Sequence, residues 1–171
     1  MGLIVLLGGA RSGKSRLAVR MAGADGRPVV FVATAQARED QELAERIARH
    51  RAERPPSWTT VEEPLDLAAV VAAAPAAAFL VVDCLTLWTA NALEAGWSPE
   101  SVERAAADVA AFAAARPSPT VVVSNEVGMG IVPETMLGRT FRDVLGRVNA
   151  RYAEAAERAC LVVAGRILEL R

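Results

Sequence analysis

Gly8-Gly9-Ala10-Arg11-Ser12-Gly13-Lys14-Ser15 follows the apolar run Leu3–Leu7 and opens a segment of helical period. Its spacing is G-x-x-x-x-G-K-[ST], and each fixed position has a physical reason. Gly8 and Gly13 allow backbone angles that turn successive N–H groups toward one anion. A helix starting near Lys14 adds the positive end of its dipole at the same point. The Lys14 ammonium then reaches the outer phosphates as a point charge, and the Ser15 hydroxyl is placed to ligate Mg²⁺. Strand, loop and helix in this order read as a cradle for a nucleoside triphosphate.

Outward from the cradle, short apolar runs alternate with helical stretches. The runs are Leu3–Leu7, Pro28–Ala33, Phe79–Asp83, Thr120–Ser124 and Leu161–Ala164. Near-continuous hydrophobicity over so few residues predicts strands buried on both faces of a parallel sheet. Helices are expected over Lys14–Ala22, Glu39–Ala52, Leu65–Ala74, Pro99–Ala115 and Arg139–Arg158. In the last of these, Phe141, Val144, Leu145, Val148, Tyr152 and Ala155 form one stripe. The expected fold is α/β, a mostly parallel sheet flanked by helices, with Arg166–Leu170 as a short antiparallel final strand. One domain over residues 1–171 is expected, with Pro55–Pro56 and Arg116–Pro119 as turns between elements.

Composition excludes several classes. The formal net charge is −1 and aromatic residues make up 5%, so neither a basic field nor a stacking surface favours nucleic acid. Leu3–Leu7 is far shorter than the roughly 20 residues that span a bilayer. With no basic segment preceding it, a cytoplasmic protein without a membrane span is expected, and Cys84 and Cys160 are expected as reduced thiols. Lys14 is the only lysine among 19 basic residues, and His50 is the only histidine.

Asp83 ends the run Phe79-Leu80-Val81-Val82-Asp83, where a carboxylate supporting Mg²⁺ belongs; a helix-capping aspartate is the alternative. Asn125 and Glu126 follow Thr120–Ser124 and enter the loop Gly128-Met129-Gly130-Ile131-Val132-Pro133, so they should emerge at the same sheet edge. For Glu126, anchoring that loop is the competing role. His50 stands among Arg46, Arg49, Arg51 and Arg54 at the border of an apolar stripe. Flanking cations favour neutral imidazole, the nucleophilic form, against a reference pKa of about 6.5. From the residues alone, a structural histidine and a nucleophile both stay open.

Taken together, three segments carry a resemblance. They are Gly8–Ser15, the stretch Arg46-Ile47-Ala48-Arg49-His50-Arg51 with Arg54-Pro55 and Trp58, and Ser124-Asn125-Glu126-Val127-Gly128-Met129-Gly130-Ile131-Val132-Pro133-Glu134. They resemble the bifunctional adenosylcobinamide kinase/adenosylcobinamide-phosphate guanylyltransferase family. The likeness continues through Phe141-Arg142-Asp143 and Gly146-Arg147-Val148-Asn149 and spans essentially the whole chain. It implies a RecA-like P-loop sheet, a propeller-like homotrimer, and ATP and GTP as substrates. It also implies phosphorylation of adenosylcobinamide and then transfer of GMP to the resulting phosphate through a guanylyl-histidine. By position, the nucleophile is His50 and the phosphate-binding catalytic cation is Lys14. Nucleotide binding is implied for Gly8–Ser15, Ala33, Thr34, Ala35, Arg51, Ala52, Glu53, Arg54, Glu62 and Asp83, with Ser15 and Asp83 toward the metal. The chain departs from the pattern at Ala35, Arg49, Glu53 and Asp83. A simple P-loop small-molecule kinase with a structural His50 is the alternative reading.

Overall fold

A computed structural model describes residues 2–35, 51 and 54–170. The helix expected over Glu39–Ala52, and His50, Ala52 and Glu53 with it, lies outside the described residues, Arg51 excepted. The strands are β1 (Leu3–Leu7), β2 (Val29–Ala33), β3 (Thr59–Glu62), β4 (Phe79–Asp83), β5 (Thr120–Val123), β6 (Arg158–Val163) and β7 (Arg166–Leu170). The helices are α1 (Lys14–Asp25), α2 (Leu67–Ala73), α3 (Leu85–Glu94), α4 (Pro99–Ala114) and α5 (Met136–Ala155).

All seven strands join one sheet in the order β3-β2-β4-β5-β1-β6-β7. Every pairing is parallel except β6 with β7, as expected for the tail. The β6–β7 turn is two residues long, Ala164 and Gly165, with φ of 49° and 75°. Positive φ at both central positions matches the right-handed twist of the paired strands.

Alternation along the strands divides the core into two layers. Leu3, Val5, Val30, Val32, Leu80, Val82 and Val122 face α2–α5, whereas Ile4, Leu6, Phe31, Val81, Val121 and Val123 face α1. Helix α5 buries Val144, Leu145, Val148 and Tyr152, the stripe read from the sequence. Helix α4 starts with Ser98 capping the Ser101 amide and Pro99 in the first turn, and buries Val102, Ala106, Val109, Ala110 and Ala113. Three of its alanines, Ala106, Ala110 and Ala113, therefore belong to the core.

Two elements escape the pattern reading. Helix α3 begins two residues after β4, so its apolar start merges with the strand run. Yet Leu85, Trp88 and Ala92 are buried at helical spacing. Strand β3 is a four-residue edge with only partial burial, which leaves little apolar signal.

Arg116 lies just beyond α4 and binds four carbonyls: Val71 at 3.3 Å, Ala74 at 3.1 Å, Pro75 at 3.0 Å and Ala78 at 2.9 Å. It satisfies the C-terminal carbonyls of α2 and the approach to β4. Arg116→Ala should lower stability by about 2–3 kcal/mol, the scale of charged hydrogen bonds lost at a partly buried site. Urea unfolding checks this, with catalysis at low denaturant unchanged.

Candidate active site

The loop between β1 and α1 curls around its own lysine. Lys14 Nζ donates to the carbonyls of Gly8 at 2.8 Å and Gly9 at 2.7 Å, and to Ser12 Oγ at 3.4 Å. The residue is 6% exposed, so its charge is held where water screens it least. Gly13, at φ 100°, is the N-cap of α1 and offers no side-chain cap; the first turn contains no acidic residue. The amides of that turn are thus aimed at the loop, which suits an anion. Arg11 also adopts positive φ, at 57°. Gly9, Ala10 and Arg11 form the exposed rim, while Ser15 is half-buried in the first turn of the helix.

The C-terminal hairpin buttresses this loop, which sequence patterning did not anticipate. Gly165 N donates to Ser12 O at 2.9 Å. Gly8, at φ 150°, packs so closely on β6 that a Cβ there would lie 2.3 Å from Val162 O. At Gly9 a Cβ would meet nothing within 4 Å. Gly8→Ala should therefore weaken triphosphate binding by about tenfold or more, with overpacking strain on the order of 1–3 kcal/mol. Gly9→Ala is the matched control and should leave the melting temperature near the parent value. Calorimetric titration and thermal melts of both variants check the pair.

Across the carboxyl edge of the sheet, register places Glu62 beside Ala33, Ala33 beside Asp83, and Asp83 beside Val123. Ligands in open α/β sheets sit at this edge, and it carries three of the positions singled out in the sequence. The Asp83–Cys84 peptide is cis. Thr34, fully buried, clamps its far side: its hydroxyl accepts from Cys84 N at 2.8 Å and donates to Cys84 O at 2.7 Å. Asn91 Nδ2 in turn donates to Thr34 O at 2.8 Å. The Thr34 side chain is thus engaged in joining β2 to β4, and Ala35 beside it is half-buried. Asp83 ends its strand and precedes α3; the N-cap residue of that helix is Cys84, so Asp83 does not fill the capping position. Burial first, and the Asp83 charge second, push the Cys84 thiol up to about 11, so it stays protonated at neutral pH. Both cysteines are free thiols.

Arg51 meets this edge, and Arg54 to Trp58 lead to the start of β3 at the opposite edge of the sheet. Arg51 pairs with Glu62 at 3.6 Å, both well exposed. The Arg54 guanidinium lies 3.7 Å above the Phe31 ring, and Trp58 stacks near the same ring at 6.5 Å between centroids. Phe31 is the central residue of β2, so this stacking holds the guanidinium over the face of the sheet.

The loop after β5 is rooted on the cradle itself. Glu126 N donates to Gly8 O at 3.0 Å, and Ser124 N donates to Leu6 O at 3.0 Å. Asn125 is fixed on both sides: its amide donates to Thr86 Oγ1 at 2.8 Å, and its carbonyl accepts from Asn149 Nδ2 at 3.0 Å. The Glu126 carboxylate accepts from Gly128 N at 2.5 Å, which is the loop-anchoring role. The sequence reading did not single out Thr86, and included Asn149 only within the stretch Gly146–Asn149, with no role; the available signal was a buried polar residue on the core face of α5. Among the described residues no three His, Cys, Asp or Glu side chains cluster as a metal site. No helix among them is long and apolar enough to cross a membrane.

Comparison with known proteins agrees with this arrangement. The fold resembles that of a Pyrococcus horikoshii OT3 protein, with TM-score 0.60 at 8% identity, covering 98% of this chain and 85% of that one. It also resembles the P4 protein of bacteriophage phi6 in complex with ADP, with TM-score 0.52 at 15% identity, covering 98% of this chain and 54% of that one. These likenesses extend to the fold alone. In sequence, the chain is 44% identical over 168 residues to the bifunctional adenosylcobalamin biosynthesis protein CobP of Pseudomonas aeruginosa, covering 98% of this chain and 96% of that protein. It is 42% identical over 177 residues to the bifunctional adenosylcobalamin biosynthesis protein CobU of Salmonella typhimurium, covering 95% of this chain and 96% of that protein. A profile of the CobU family, cobinamide kinase / cobinamide phosphate guanyltransferase, matches residues 4–170. The phosphate cradle, its buttressing hairpin and the anchored loop beside it therefore belong to a member of the cobinamide kinase / cobinamide phosphate guanyltransferase family.

Proposed function

We propose that this chain phosphorylates adenosylcobinamide with a nucleoside triphosphate and then converts the product to adenosylcobinamide-GDP with GTP. The observation that carries the reading is the cradle: a buried lysine ammonium, an uncapped helix N-terminus and a glycine loop converge on one point. In the kinase step the substrate hydroxyl oxygen attacks the γ-phosphorus, the bond to the departing nucleoside diphosphate breaks, and the hydroxyl proton passes to a base. Asp83 and Glu126 are the candidate bases.

In the second step the His50 imidazole attacks the α-phosphorus of GTP and pyrophosphate leaves. A phosphate oxygen of the cobinamide phosphate then displaces the histidine. Two in-line displacements at one phosphorus replace one difficult transfer. Because the kinase step uses the γ-phosphorus and His50 the α-phosphorus, either the nucleotide binds in two registers or the histidine segment moves. Lys14 and the α1 amides hold the polyphosphate in both.

Ser15 and Asp83 supply hydroxyl and carboxylate oxygens at the cradle and at the end of β4, with β5 between β4 and the cradle strand. That donor set suits Mg²⁺, which takes few protein ligands together with substrate phosphates. Bound there, the ion would neutralise charge developing on the phosphates. Ala33, Thr34 and Ala35 line the proposed nucleotide site, with the Thr34 hydroxyl, N–H and carbonyl engaged within the protein. Arg51, Ala52, Glu53, Arg54 and Glu62 complete the proposed binding set, in a single nucleotide-binding unit over residues 1–171. Homotrimeric assembly and a cytoplasmic location complete this reading. The test is nucleotide consumption with and without adenosylcobinamide: saturable, corrinoid-dependent turnover is expected, and turnover indifferent to corrinoid would refute the assignment.

A further inference from the structure

We infer that the loop between β5 and α5, with the first turn of α5, is the seat for the corrinoid ring of the acceptor. This inference rests on the function proposed above. Met129, Ile131 and Val132 in the loop are 74%, 95% and 58% exposed, and Met136 and Leu137 in the helix turn are 77% and 68% exposed. Five large apolar side chains in nine residues of sequence, all turned to water, mark a surface that something covers.

This is not a frayed segment. Its start is fixed by the bonds from Glu126 N to Gly8 O and from Asn149 to Asn125 O. Its end is fixed by Arg139, which donates to Pro133 O at 3.0 Å and Glu134 O at 2.7 Å, and by Thr135, which caps the Gly138 amide at 3.1 Å. Pro133 packs on the helix start, where a Cβ at Gly138 would come within 2.8 Å of it. The apolar tip is therefore held out from two anchored ends.

The position selects the occupant. An acceptor hydroxyl must come within roughly 3–3.5 Å of the phosphorus it attacks. The rest of the acceptor must then lie over the carboxyl edge, around the cradle. The loop is rooted on the Gly8 carbonyl, and the five steps from Glu126 to Ile131 span at most about 18 Å. Of the described loops that follow parallel strands, this one alone bears large exposed apolar side chains. A corrinoid is a broad macrocycle whose rim and faces carry many methyl groups, and it needs apolar surface that a nucleotide does not.

The test uses the full chain carrying Met129→Ser and Ile131→Ser together. Both positions are exposed, so folding should survive, and a thermal melt checks it. The expected result is a rise of about tenfold or more in the KM for adenosylcobinamide, with the KM for the triphosphate within about twofold of the parent. Tenfold corresponds to about 1.4 kcal/mol of lost binding. The conservative pair Met129→Leu and Ile131→Leu should restore most of the affinity. An unchanged corrinoid KM overturns the inference. So does a fall in sedimentation mass with both KM values unchanged, which would make this surface a contact between copies of the chain. If the parent itself shows no corrinoid-dependent turnover, the proposed function fails, and this inference with it. A parent that turns over corrinoid beside an unaffected variant sinks the inference alone.

Discussion

Lys14→Ala should reduce both activities by about 10³-fold, or roughly 4 kcal/mol of transition-state stabilisation. The ammonium sits at the centre of the cradle, with two carbonyls and a hydroxyl holding it at 2.7–3.4 Å. Removing it deletes a charge that neutralises phosphate oxygens in a site shielded from water. It also removes one of the two donors to each of the Gly8 and Gly9 carbonyls, which keep Glu126 N and Ser12 N. Lys14→Arg should not rescue, because a planar guanidinium cannot replace a compact ammonium within so tight a turn. The check is kcat/KM for each half-reaction. Unchanged kinase turnover in Lys14→Ala would contradict the cradle's assigned role.

The second large effect is a split between the two activities. His50→Ala should lower guanylyl transfer by about 10⁴-fold or more, because covalent catalysis is lost with its nucleophile. Phosphorylation of adenosylcobinamide should stay within about tenfold of the parent, since that step needs no histidine. Separate assays of the two half-reactions check this. Equal loss in both would make His50 structural. Equal retention in both would leave His50 without a role in transfer.

The sheet was legible because its central strands are buried on both faces. Leu3–Leu7 and Phe79–Asp83 match the expected bounds, and Thr120–Val123 and Val29–Ala33 differ from them by one residue. Continuous apolar runs carry that signal with little ambiguity. Strand β3 carried almost none, since an exposed four-residue edge needs few apolar side chains. Helix boundaries were displaced where caps, not periodicity, set them: α5 starts at Met136 because Thr135 caps the Gly138 amide. The stripe from Val144 to Tyr152 was visible from the outset, whereas the start of the helix was not.

Within the site, the cradle was readable because its chemistry is local in sequence. Eight consecutive residues contain the glycines, the lysine and the hydroxyl. The supports around it were not readable, since they are long-range contacts with no local signature. Gly165 reaches Ser12 from the far end of the chain, and Asn149 reaches Asn125 across 24 positions. Thr34 shows the same limit: its sequence position suggested nucleotide contact, while its side chain joins two strand ends. His50 falls outside the described residues, so its role rests on sequence resemblance and on chemistry.

Labelling with GTP that carries its isotope at the α-phosphorus tests the account most directly. The parent protein should retain the label through a bond that is labile in acid and stable in base, as a phosphoramidate is. Addition of cobinamide phosphate should then move the label from protein to corrinoid. His50→Ala should retain none. Label that never binds the protein, or that binds equally well without His50, would contradict the two-displacement transfer.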